Sequence, residues 1–216
     1  MRAGAVYLIV FVVGGVLMGF EMVGSRFLYP YFGGGIATWA ALISTVLYAL
    51  AIGYFAGGAV VDRYPSPIVI AASVGLAALY LFGIPASVDA AMQAILDAWG
   101  YGAGAALLAA AVLLTPPVCL LGMLSPAAVR LLISEARSAG RTAGAVYGVS
   151  AIGNVAGTLF TTFVLIPTIG SRAITYWFAA ALALCAVLLL AACGARPAAQ
   201  DFGRGPASGE GDRRPQ

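Results

Sequence analysis

The stretch Ala3-Gly-Ala-Val-Tyr-Leu-Ile-Val-Phe-Val-Val-Gly-Gly-Val-Leu-Met-Gly-Phe20 carries no charge over 18 residues, and Glu21 follows it directly. It is too long for the apolar core of a typical secretory signal, and no small-residue cleavage pattern follows. It therefore reads as a retained membrane span, running from about Ala5 to Leu28. The rest of the chain repeats the pattern. Of its 216 residues, 62% are apolar or aromatic and only 9% are charged. A soluble domain cannot hide that surplus, because its surface must face water. These numbers exclude a water-soluble enzyme, a nucleic-acid reader and a disordered protein as readings of the whole chain.

A spanning helix needs about 20 apolar residues. Five further segments qualify: Ile36 to Val61, Pro67 to Ile84, Gly102 to Leu124, Ala143 to Ile166, and Ala173 to Ala192. The expected fold is thus all-α and integral to the membrane, with six transmembrane helices in one domain over residues 1–193. Two amphipathic helices are expected to lie on the membrane surface. Between spans three and four, Asp89, Gln93 and Asp97 share one face of Ser87–Trp99, with Ser87 as its N-cap. Between spans four and five, a second begins at Ser125-Pro126. Arg130, Ser134, Arg137 and Arg141 form its polar stripe, and Gly140 ends it. In residues 194–216, fifteen of 23 are glycine, proline or charged, so a disordered tail is expected.

The ionisable inventory is eleven arginines, five aspartates and three glutamates, with no lysine and no histidine. That removes histidine metal sites, Ser–His–Asp triads and histidine pH switches. Cys119, Cys185 and Cys193 lie in or beside apolar runs without CxxC spacing, and read as small buried hydrophobes. No metal, no organic cofactor and no nucleic-acid partner is expected; the lipid bilayer is. With the N-terminus inside, nine arginines fall on the inner side (Arg2, Arg63, Arg130, Arg137, Arg141, Arg196, Arg204, Arg213, Arg214) and two outside (Arg26, Arg172). That asymmetry places both termini in the cytoplasm of a cell (inner) membrane protein.

Charges within a span are costly and tend to be functional. Glu21 is therefore the first site candidate, as counter-ion for a cationic substrate or as a proton-coupling carboxylate. Its structural alternative is a bond to Arg26 or to a neighbouring helix end. Arg26 is the second candidate. Asn154, at mid-depth in span five, is either interhelical glue or a substrate contact. Tyr48 on span two is a lesser pocket candidate. Pro116 and Pro117 are expected to kink span four. The pairs Gly53/Gly57, Gly144/Gly148 and Gly153/Gly157 let backbones approach, either within the chain or at a dimer seam. Gly33-Gly34-Gly35 reads as a tight outer turn rather than a phosphate loop.

Gly58-Ala-Val-Val-Asp-Arg63 resembles the motif after the second helix of the major facilitator superfamily, although Tyr64-Pro-Ser-Pro67 replaces that family's basic run. Six spans with both ends inside also resemble one half of such a transporter, a 3+3 repeat. A broader resemblance is to the membrane part of fused transporter/spermidine synthase proteins. Phe20-Glu-Met-Val-Gly-Ser-Arg26 carries it, with Gly53-Tyr-Phe-Ala-Gly-Gly58, Asp62-Arg63 and Gly122-Met-Leu-Ser-Pro126 with Arg130. Gly144-Ala-Val-Tyr-Gly148, Gly153-Asn-Val-Ala-Gly-Thr158 and Leu165-Ile-Pro-Thr-Ile-Gly170 continue it. In fused members an aminopropyltransferase-like domain follows; here the short tail does. The resemblance thus implies a stand-alone membrane module without a catalytic domain. One reading is a transporter-like homodimer moving a small, polyamine-like cation. Another is an anchor for a separately encoded soluble aminopropyltransferase-like enzyme. A lipid-modifying enzyme is a third class, disfavoured by the few polar residues at depth. The topology also suggests an Asp62–Arg130 bridge between the two three-helix halves, with Gly58, Arg63, Pro116 and Pro117 as structural or gating positions.

Overall fold

The computed structural model describes residues 3–64, 66–133 and 139–194. Within them the chain is helical apart from short turns, and six helical segments are long and apolar enough to cross a membrane. Helices α1 (Ala3–Phe32), α2 (Ile36–Arg63) and α3 (Pro67–Trp99) are the first three spans. Helices α4 (Ala103–Gly122) and α5 (Leu124–Leu132) together make the fourth. The fifth is α6 (Ala139–Phe160), a π-helical turn (Thr161–Leu165) and the short α7 (Ile166–Thr168). Helix α8 (Ser171–Gly194) is the sixth. Successive spans reverse direction. We call the end holding the start of α1 the terminal end, and the opposite end distal.

The turns follow from local chemistry. Gly33 closes α1 with φ +70°, a conformation that favours glycine, and its N–H bonds the Tyr29 carbonyl at 2.9 Å. Ser66 caps α3, accepting from the Ile68 N–H at 3.3 Å, with Pro67 in the first turn. Gly100, at φ +68°, ends α3.

The main pairings are α1 with α6, α2 with α4 and α3 with α8. Helix α1 is central, with 61% of its apolar window buried against 11% for span five. Glycines set the crossings. A Cβ on Gly157 would run into the Gly15 backbone, and one on Gly153 into the Phe11 carbonyl. On α2, a Cβ on Gly57 would lie 2.6 Å from Met123 Cα, whereas Gly58 has nothing within 4 Å. Gly57 is therefore the crossing residue, and Gly58, the motif position singled out by sequence, faces open space. Gly144 and Gly148 also have nothing within 4 Å.

Two sequence expectations need correcting. The segment Ser87–Trp99 is not a separate helix, because α3 runs unbroken through Pro85. One continuous buried stripe (Leu81, Ile84, Val88, Met92, Leu96) holds it together, and Ser87, no cap, donates to the Gly83 carbonyl at 3.1 Å. At about 1.5 Å per residue this helix is about 50 Å long, so it outreaches a hydrocarbon core of about 30 Å. Secondly, the helix that carries Arg130 ends at Leu132. Gly140 and Arg141 belong to the first turn of α6, so Gly140 ends nothing. Ser134, Arg137, Arg2 and the tail arginines lie outside the described residues. Helix α4 carries Pro116 and Pro117 in its interior and ends at Gly122, with Met123 between it and α5.

Gly57→Ala should destabilise by overpacking, at about 1–3 kcal/mol, while Gly58→Ala should leave stability unchanged or slightly raised. Thermal unfolding of the detergent-solubilised protein checks this: a lower Tm for the first variant only.

Candidate functional site

Glu21 lies in the distal half of α1 and is 7% exposed. Among the described residues no hydrogen bond or ion pair engages its carboxyl, and Arg26 makes no ion pair with it. Gly14 and Leu17 share its helix face one to two turns toward the terminal end, and Ser25 one turn toward the distal end. Two cavities flank it along that face.

The first, of about 20 Å³, lies toward the terminal end among Gly14, Leu17, Leu50, Tyr54, Ser125, Ser150 and Asn154. It has room for about one water, and its lining supplies several polar partners. Asn154 is assigned with its amide nitrogen toward α1. It then donates to the Gly14 carbonyl at 2.8 Å and to the Ser150 carbonyl at 3.3 Å. The α1–α6 crossing is tight enough there that a Cβ on Gly14 would sit 2.7 Å from Ser150 O. Tyr54 meets Tyr147 edge-on, ring centroids 6.4 Å apart, which ties α2 to α6 beside the cavity.

The second cavity, of about 340 Å³, opens at the distal end between α1, the start of α2 and the π-helical turn. Met22, Ser25, Arg26, Tyr29, Trp39, Leu42, Thr162 and Ile166 are among its lining residues. Tyr48 is in neither place. It lines a separate apolar hollow with Ser44, Thr45, Leu107 and Thr115 between α2 and α4, and is itself 66% exposed. Of the sequence candidates, Glu21 is buried on α1, Arg26 is exposed at the distal cavity, Asn154 meets α1 at Gly14, and Tyr48 lies apart.

At the terminal end, Arg130 Nε on α5 lies 3.8 Å from Asp62 Oδ1 on α2, with both side chains more than half exposed. Arg63 stands over the Tyr64 ring, 5.8 Å from its centroid. At the distal end, Arg172 pairs with Asp89 and donates to the Pro85 carbonyl at 3.0 Å, which ties the start of α8 to the extension of α3. Cys119 and Cys185 are free thiols. Among the described residues no group of three metal-binding side chains gathers.

Two features escape a reading of the sequence. Pro116 has no N–H for the carbonyl of Val112, four residues back; the Tyr80 hydroxyl of α3 donates to that carbonyl at 2.5 Å. The proline signals the orphan carbonyl, yet nothing local in sequence names its partner. The second is the π-helical turn before Pro167. The Ile166 N–H reaches back to Thr161 O, five residues away, and the hydroxyls of Thr161 and Thr162 are buried without a partner. Elsewhere in the chain Thr158, Thr168 and Thr175 donate to carbonyls four residues back.

The chain matches no family model, no curated protein and no solved structure. What fold and site define together is a polytopic α-helical membrane protein with a buried carboxyl on its central helix.

An exposed ion pair adds at most about 0.2–1 kcal/mol. A double-mutant cycle on Asp62→Asn and Arg130→Gln should therefore give a small, salt-sensitive coupling by thermal unfolding. Strict additivity at low salt would show that the pair does not join α2 to α5.

Proposed function

We propose that this chain is a transporter-like membrane module, related to the membrane part of the fused transporter/spermidine synthase proteins, that moves a small cation as a homodimer. The observation carrying this reading is Glu21: a carboxyl 7% exposed, in a span, without a partner among the described residues. Burying such a group without compensation costs free energy. A transported cation supplies that compensation when bound, and the asymmetry between filled and empty states is what drives a conformational exchange.

The pairing of spans supports a 3+3 repeat. Exchanging spans one to three with four to six maps one-with-five onto four-with-two, and three-with-six onto itself, which is the observed set of main contacts. Six helices seldom enclose a transport path alone, so a second copy completes it. Span five, 11% buried, and the unpaired faces of Gly144 and Gly148 on it are where the copies meet. Both termini lie in the cytoplasm on this reading, and Asp62 with Arg130 latches the two halves at that face. The competing role, an anchor for a soluble aminopropyltransferase-like enzyme, draws on Arg63, Arg130 and Arg141, all exposed at the terminal end.

Reconstituted proteoliposomes test the proposal. Labelled putrescine or spermidine should accumulate, and Glu21→Gln should cut the initial rate by about tenfold, equivalent to about 1.4 kcal/mol, with unchanged elution on size exclusion. Equal rates for both proteins, or no flux of any cation above empty vesicles, would reject it.

A further inference from the structure

The distal cavity has a chemistry opposite to that of Glu21, and the inference from it does not depend on transport. Its volume of about 340 Å³ falls at the small end of ligand pockets, which run about 300–1,000 Å³. Most of its wall is apolar, from Met22, Leu42 and Ile166, with Tyr29 and Trp39 at the side. No carboxylate lines it. Its polar groups are few, and each can be accounted for. Ser25 Oγ donates to the Met22 carbonyl at 2.7 Å, and Thr38 Oγ1 to the Phe32 carbonyl at 3.3 Å. Three lining side chains keep unused donors among the described residues: the exposed Arg26 guanidinium, the Tyr29 hydroxyl and the Trp39 indole N–H. The Thr162 hydroxyl also has no partner, but it is covered and does not open to the cavity.

A guanidinium offers five N–H donors with no acceptor of its own. Thr38 and Trp39, in the first turn of α2, also line the cavity and bring the positive end of a 28-residue helix beside it. The unused donors call for an acceptor, the Arg26 charge calls for an anionic one, and the rest of the wall calls for hydrocarbon. We propose that the distal cavity binds an amphiphilic anion, with a carboxylate or phosphate held by Arg26 beside the Tyr29 hydroxyl, and an apolar body against Met22, Leu42, Ile166 and Trp39. The same headgroup chemistry arrives from an anionic membrane lipid or from a water-borne amphiphile.

Trp39 lines the cavity and serves as reporter. With Trp99 and Trp177 replaced by Phe, the protein in phosphatidylcholine nanodiscs is titrated with a terminally brominated medium-chain fatty acid, whose bromine quenches tryptophan on contact. The expected result is saturable quenching by the acid and about tenfold weaker quenching by its methyl ester. Arg26→Gln should bring the acid down to the level of the ester, and Arg26→Lys should fall between. If phosphatidylglycerol in the nanodisc displaces the acid, the ligand is a lipid headgroup; if quenching persists undiminished, it is a water-borne anion. Equal quenching by acid and ester in the protein with Arg26 intact would overturn the proposal, whatever the Arg26 variants do. So would full quenching in a monodisperse Arg26→Gln protein.

Discussion

The structure depends on one close crossing, that of α1 with α6. Gly157 lies directly against the Gly15 backbone, Gly153 against that of Phe11, and the Asn154 amide reaches the Gly14 carbonyl. In lipid there is no hydrophobic gain from bringing two apolar helices together, so association rests on dispersion between well-fitted surfaces and on interhelical hydrogen bonds. Both are present here, and both need the absence of side chains at these glycines. The crossing leaves α1 in the middle of the bundle with α8, α4 and α2 around it. Its consequence is that a residue on the inward face of α1 has no route to water except through a cavity, and Glu21 is such a residue.

The polar groups divide by position. In the terminal half and the middle of the bundle, polar groups find partners across helices: Tyr80 satisfies the carbonyl that Pro116 abandons, and the Asn154 amide finds the Gly14 carbonyl. In the distal half the defects stand uncorrected. Glu21, Thr161 and Thr162 are all in its interior, with Arg26 at the mouth of the cavity above them. A fold that repairs its polar defects in one half and retains them in the other has a reason to keep them, and ligand binding is the one that fits their chemistry. The carboxyl and the guanidinium stay apart rather than cancelling each other, so each is available to a different charge.

Much of this was legible in the sequence. Six apolar runs fix six spans because hydrocarbon admits only helices with all backbone groups bonded. Gly33-Gly34-Gly35 marks a turn because Gly33 adopts a positive φ. Glu21 stands out because a carboxyl inside an apolar run is costly, and Arg26, five residues on, is out of the i,i+4 register that would pair with it. What stayed hidden is what tertiary contact decides. Pro85 looks like a helix end, but one missing hydrogen bond is outweighed by the buried stripe that continues past it. Pro116 announces an orphan carbonyl, but only the packing of α3 on α4 supplies Tyr80 as its donor, and nothing in the sequence places the end of α4 at Gly122. The Gly53/Gly57 spacing marks the crossing on α2, and the structure sets Gly53 against Cys119 and Gly57 against Met123 while Gly58 stays open. Tyr48 has the chemistry of a pocket residue and faces the wrong way for Glu21. The π-helical turn has no sequence signature beyond a proline two residues past it.

The central claim is that Glu21 is an unpaired buried carboxyl that accepts a cation. Carbodiimides of high lipid solubility react with protonated carboxyls inside membranes, and peptide mass spectrometry locates the adduct. In proteoliposomes the account predicts an adduct at Glu21 whose formation slows as putrescine or spermidine is added. An unmodified Glu21, or labelling indifferent to every cation, would contradict it.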